Sequence, residues 1–267
     1  MDQLHKVMGE HPDHWLLNNA AWVLADANTH LSEALAYSRQ AVSEISARSA
    51  AVSPDVPRAA DFGLLGYLAA NWDTLGWIQF RSGDALAAEK YLIASWQLRQ
   101  VPMVGEHLVE VYEKLGKNKE AAKVAEMAIA SSGPDAPSES LSKQMPHLRA
   151  FLPRRTGGPS IPNASLYKGE GDAALSEMRS IRIPFHPHME KSLDSANFVI
   201  SFVASSKPEK VVFGSGTEEL RGAIPAMTAA SYPQTVPDDT PVRILRLATL
   251  NCSQHADDCV VILMPEH

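Results

Sequence analysis

Cysteine is nearly absent: two in 267 residues. That is too few for a four-thiolate metal site or a dense disulfide framework. No apolar run approaches the roughly 18–20 residues that a membrane helix needs, so membrane insertion is not expected. The opening residues, MDQLHKVMGEHPDH, lack the basic-then-apolar order of a signal peptide. Cations are in the minority, with 24 Lys and Arg against 31 Asp and Glu and a formal net charge of −7. A general polyanion-binding role is therefore not expected, since nucleic acid would be repelled unless the fold gathered a basic patch. No G-x-S-x-G, H-E-x-x-H or Cys/His/Asp constellation appears. The chain is accordingly read as non-enzymatic, with no catalytic, cofactor-binding or metal-binding residues. What is present is ordinary globular material, 45% hydrophobic and 21% charged, which argues against wholesale disorder.

The first 133 residues are rich in Ala, Leu, Trp and Glu. In NWDTLGWIQFRSGDALAAEKYLIASWQL, Trp72, Leu75, Gly76, Gly83 and Ala88 fall in a fixed order. In HLVEVYEKLGKNKEAAKVAEMAIA, Leu108, Tyr112, Gly116, Ala121, Ala125 and Ala128 follow the same template. Gly83 and Gly116 are 33 positions apart. Each stands where a first helix must end in a tight turn suited to left-handed backbone. Ala88 and Ala121 let two helices approach closely, while Trp72, Leu75, Leu108 and Tyr112 recur at helical spacing. A weaker copy runs through LNNAAWVLADANTHLSEALAYSRQAVS. There Ala34, Ser38 and Ala41 take the small positions of the second helix, Ala21 and Trp22 match the first helix, and the turn glycine is replaced near Thr29. The stretch 46–67, with its Ser-Pro and Val-Pro pairs, reads as a loop inserted between the first and second copies.

These residues resemble the tetratricopeptide repeat over positions 12–132, in the W-x2-L-G…G…A order. The resemblance implies three antiparallel helix pairs, the second spanning about Ala70 to Leu98, stacked as a solenoid. It also implies a groove for a protein or peptide partner. The first helices offer Asn18, Asn19, Asn71 and Gln79 but few cations, so a clamp for a carboxylate terminus is not expected. No polar capping repeat precedes the first copy, which fits either a chain that starts here or the C-terminal part of a longer solenoid.

Residues 134–193 form a proline-rich linker with short helices. It includes Arg154 and Arg155, read as solvated, and ends in a short helix running into a strand anchored by Met178, Ile181 and Ile183. Beyond it, residues 194–267 change to alternating periodicity. NFVISFVA and KVVFGSG read as strands, TEELRGAIPAMTAASY as a helix capped by Thr217, and PVRILRLATLNC and DCVVILMP as two further strands. The order β-β-α-β-β favours a mostly antiparallel sheet with one helix on it, making the whole chain α+β in two domains. VVFGSGTEEL and TAASYPQ…PVRILRLATL resemble the C-terminal domain of TonB-like energy transducers. More closely, the tail resembles a domain that follows tetratricopeptide repeats in large bacterial envelope proteins, some of them with a transglutaminase-like region. That resemblance implies a periplasmic or extracellular setting, with the cytoplasm as the alternative. It also leaves open an accessory C-terminal role in a larger envelope enzyme.

Three local patterns invite chemistry. Gly214-Ser215-Gly216 stands between strand and helix like a phosphate loop, but Glu218 and Glu219 put negative charge where a phosphate sits, so a structural turn is expected. Cys252 and Cys259 lie at the ends of the last hairpin, where a disulfide is the favoured reading. A Cys-His-Cys metal set with His255 and Asp257 or Asp258, and inert thiols, are the alternatives. His11, His14, His186 and His188 are expected to be surface residues. The NFVISFVA strand has little charge to discourage pairing and is the expected open edge for a partner strand, unless the strand near Ile181 covers it.

Overall fold

The computed structural model describes residues 12–131, 148, 164–187, 193–203, 206–237, 241–253 and 258–264, with side chains from 171 onward in the helix that begins at 164. His11, Arg154, Arg155, His188, His255, Asp257 and most of the expected linker lie outside these residues. Helices occupy the N-terminal part and a five-stranded antiparallel sheet the C-terminal part. The chain divides into two compact units, neither continuous in sequence. One takes the chain up to Glu44 and then Tyr67–Leu175; the other takes Ile45–Gly66 and everything from Ser176.

The helices run α1 (His14–Asp26), α2 (Leu31–Ala50), α3 (Ala59–Phe62), α4 (Leu64–Arg81), α5 (Ala85–Leu98), α6 (Pro102–Lys114) and α7 (Asn118–Ser131). In the first unit, three turns join α1 to α2, α4 to α5 and α6 to α7, and they share one hydrogen-bond pattern. Asn28, Gly83 and Gly116 each have positive φ, at 49°, 93° and 72°. Their amides donate to Ala25, Phe80 and Glu113. The next amides, of Thr29, Asp84 and Lys117, donate to Leu24, Gln79 and Tyr112. Carbonyls left over at each helix end are thereby satisfied. Asparagine replaces glycine in the first turn because it also tolerates the left-handed region. That turn carries a second positive-φ residue, His30 at 49°. Asp13 and Asp84 cap α1 and α5 by accepting from Leu16 and Ala87.

Small residues set the helix spacing. Ala34, Ala88 and Ala121 are fully buried. A Cβ on Gly76 would meet Leu92 Cγ at 2.7 Å, and one on Gly105 would meet Ala128 Cβ at 2.5 Å. Ala21, Leu24, Ala25, Ala34, Trp77 and Ile78 form one core cluster across α1, α2 and α4. Trp72, Leu75, Leu108 and Tyr112 are buried.

The turn residues Asn28 and Gly83 are 55 apart, 22 more than the 33 between Gly83 and Gly116. The extra length is not merely a loop. It extends the end of α2 and the start of α4 and carries α3 between them. Ile45–Gly66 belongs to the second unit, where Arg243 holds it: the guanidinium donates to the Ala50 and Val52 carbonyls at 2.7 and 2.6 Å and pairs with Glu209. Lys210 pairs with Asp55, and the Ser49 hydroxyl donates to the Arg243 carbonyl.

Helix α8 (Ala164–Arg179) belongs to the first unit up to Leu175, and its last turn, in the second unit, runs straight into β1 (Ser180–Ile183). β2 (Leu193–Phe202), β3 (Lys210–Gly216), β4 (Ile244–Ser253) and β5 (Cys259–Leu263) complete the sheet, in the order β1-β5-β4-β2-β3. β2 pairs with β3 and β4, with Ile200 opposite Val211 and Arg246. The NFVISFVA segment is therefore interior, which corrects its reading as an open edge; β1 covers β5, and the edges are β1 and β3. Phe198, Ile200 and Phe202 face the core with Ile244, Leu250, Val261 and Leu263. The expected single helix after β3 is instead a 3₁₀ turn, Glu218–Ala223, followed by α9 (Ile224–Ala229). Pro225 starts the α-helical part, as its fixed φ favours. Thr217 makes no capping bond; its hydroxyl donates to Asp194 at 3.2 Å.

Candidate functional site

The three equivalent turns align α1, α4 and α6 residue by residue. Six positions before the turn stand Trp22, Trp77 and Glu110. Ten before it stand Asn18, Asp73 and Glu106; two before it, Asp26, Arg81 and Lys114. These rows make the candidate site of the first unit.

Its middle member is closed by side chains. The His107 ring stacks on Trp77 with centroids 4.2 Å apart and planes 13° apart. His107 Nδ1 lies 2.8 Å from Asp73 Oδ1. Phe80 stacks on Trp77, and the Arg81 guanidinium lies 5.4 Å from that ring. Arg81 also donates to Asn28 Oδ1 at 3.3 Å. Burial by itself lowers the His107 pKa, but the charge and hydrogen bond of Asp73, with Glu110 and Glu106, outweigh it and raise it. Glu106 is itself buried and accepts from the Leu148 amide at 2.9 Å. The arrangement fixes the orientation of a buried imidazole between a carboxylate and an indole ring.

Its first member is open. Trp15 and Trp22 are 58% and 38% exposed. They are seven residues apart on α1 and so share a face.

Sequence reasoning passed over His107 and Asp73. Their only signal is that they stand 34 apart, about one repeat. The four amides weighed for a carboxylate clamp are not equivalent. Asn71 is buried and donates to the Tyr67 carbonyl at 2.7 Å, whereas Asn18, Asn19 and Gln79 are half-buried. His14, expected at the surface, is 5% exposed and meets the Tyr67 ring edge-on at 5.0 Å. The apolar entry of α1 draws it inward.

In the second unit, Cys252 and Cys259 face each other across β4 and β5, with Cα atoms 4.5 Å and sulfurs 1.97 Å apart, a disulfide distance. Gly214, Ser215 and Gly216 lie within β3. Gly216 has φ 118°, and a Cβ there would meet the Ser195 carbonyl at 2.5 Å. The Thr217 amide donates to that same carbonyl, so this glycine serves a close backbone approach rather than a phosphate. A cavity of about 300 Å³ is lined by Arg48, Val52, Arg58, Asp61 and Leu64, with Arg58 paired to Asp61 at 2.8 Å. Among the described residues no group of three His, Cys, Asp or Glu side chains is placed to hold a metal, and no helix is long and apolar enough to cross a membrane. No protein-family model matches the chain, and searches of curated proteins and of solved structures return no match.

Proposed function

We infer that the protein is a non-enzymatic interaction module whose N-terminal helices stack as tetratricopeptide-like repeats and dock a segment of a partner protein along α1, α4 and α6. The observation that carries this reading is the exposed pair on α1: Trp22 stands at the same offset from its turn as the buried Trp77 does from the next, yet Trp22 and Trp15 are solvent-facing. Exposed tryptophans are costly to leave in water and are enriched where partners bind. The cysteine pair at bonding distance supports an oxidising compartment, as the envelope is. A sheet edge is the second route to a partner, through β3 rather than β2, because β3 leaves one side of a seven-residue strand unpaired within the sheet.

Selection of a phage-displayed dodecapeptide library on the whole protein tests the reading. Enriched peptides should bind the native chain and lose binding to a Trp15→Ser/Trp22→Ser variant. Peptides that bind both equally would move the site elsewhere, and β3 would be examined with a Val212→Pro variant. A library that yields no binder would overturn the docking reading.

A further inference from the structure

We propose that Trp22 and Asp26 form a seat for a cationic side chain, arginine or lysine, on the docked segment; this deepens the docking reading and rests on it. The second repeat supplies the precedent. There Arg81 follows Trp77 by four residues, and its guanidinium lies 5.4 Å from the ring centroid. Residues four apart on a helix are neighbours on its surface, which is why the pair meets. In the first repeat the same two offsets hold Trp22 and Asp26. The ring is kept, but the resident cation is exchanged for a carboxylate.

That exchange reverses what the site wants. Trp77 is 6% exposed and already carries its cation, whereas Trp22 is 38% exposed. Among the described residues, Trp22 has no ring or cation partner, and the Asp26 carboxylate has no hydrogen bond or ion pair. A cation arriving from outside would gain the attraction of the indole face and of a neighbouring carboxylate together. An anion would meet repulsion from both. Trp15, on the same face and 58% exposed, offers apolar surface for the stem of that side chain or its neighbour. The net charge of −7 adds a long-range pull in the same direction.

The test uses the full chain with ¹⁵N-labelled tryptophan, titrated with acetylated tetra-arginine amide. The matching tetra-citrulline peptide is the uncharged control. The expected result is movement of the Trp22 and Trp15 indole resonances with arginine but not citrulline, while the Trp77 resonance stays still. Asp26→Asn should weaken binding by up to about fivefold, the upper end for loss of an exposed ion pair, because the ring is kept and only the carboxylate is neutralised. Asp26→Arg should abolish it, because it rebuilds over Trp22 the contact that Arg81 makes with Trp77. Both substitutions are at an exposed position, and circular dichroism checks that the helices persist. Equal movement with citrulline would overturn the cation seat while leaving the docking face in place. No movement of Trp22 with either peptide would overturn the seat too, and library-selected peptides that still depend on Trp15 and Trp22 would then separate its failure from that of the docking reading.

Discussion

His107 couples folding to pH through its pair with Asp73. Its pKa is raised in the folded chain, whereas an unfolded histidine titrates near ~6.5. The stabilisation is therefore complete below about pH 6.5 and is lost as pH rises through the folded value. Thermal melts across pH should show this decline, and His107→Gln should flatten it. Asp73→Asn is the sharper probe. It leaves a buried imidazole without its main charge partner, so burial dominates and the slope reverses, with stability rising with pH. Unchanged profiles in both variants would mean that the pair does not govern the titration. Trp72 supports the same helices by volume rather than charge, being fully buried. Trp72→Ala should cost about 3–5 kcal/mol in chemical denaturation. A loss under about 1 kcal/mol would place the ring at the surface and the repeat register in error.

Among the elements, the inserted stretch between α2 and α4 depends most on a single side chain. Arg243 satisfies two carbonyls at the end of α2 and bonds Glu209, whose carboxyl it holds below the usual range. A planar fork suits that triple contact better than an ammonium does. Arg243→Ala should destabilise by about 1.5–3 kcal/mol, the range for hydrogen bonds to a charged group. Arg243→Lys should recover less than half of that, and limited proteolysis should cut first between Val52 and Pro57. Equal resistance to protease in the native chain and in Arg243→Ala would refute this role. The insertion also marks where sequence reading stops. Gly83 and Gly116 announce their turns because little else favours positive φ, and the excess length between copies is plain from their spacing. What the extra residues do is not, because their partner at Arg243 is 193 positions from Ala50. Strand order is hidden for the same reason: alternation in NFVISFVA gives its faces correctly but says nothing of which strands flank it. His107 and Asp73 escaped notice because each, taken alone, looks like a polar residue on an amphipathic helix.

For the molecule as a whole, the chain passes between units at 44/45, 66/67 and 175/176, so each unit needs two separated stretches. This makes a specific demand on any attempt to divide it. A fragment of residues 194–267 carries β2 to β5 but lacks β1, which covers the β5 edge, and Ile45–Gly66, which packs with the sheet unit. A domain of that size buries too little surface to spare either. It is expected to give no cooperative melt by circular dichroism. A fragment of residues 176–267 restores β1 and should gain partial structure. Adding a synthetic peptide of residues 45–66 should raise its melting temperature in a concentration-dependent way, as any ligand of the folded state does. A cooperative transition in 194–267 alone, unmoved by the peptide, would show that the sheet is an autonomous domain. The insertion would then be an appendage of the repeats rather than a piece of the fold that follows them.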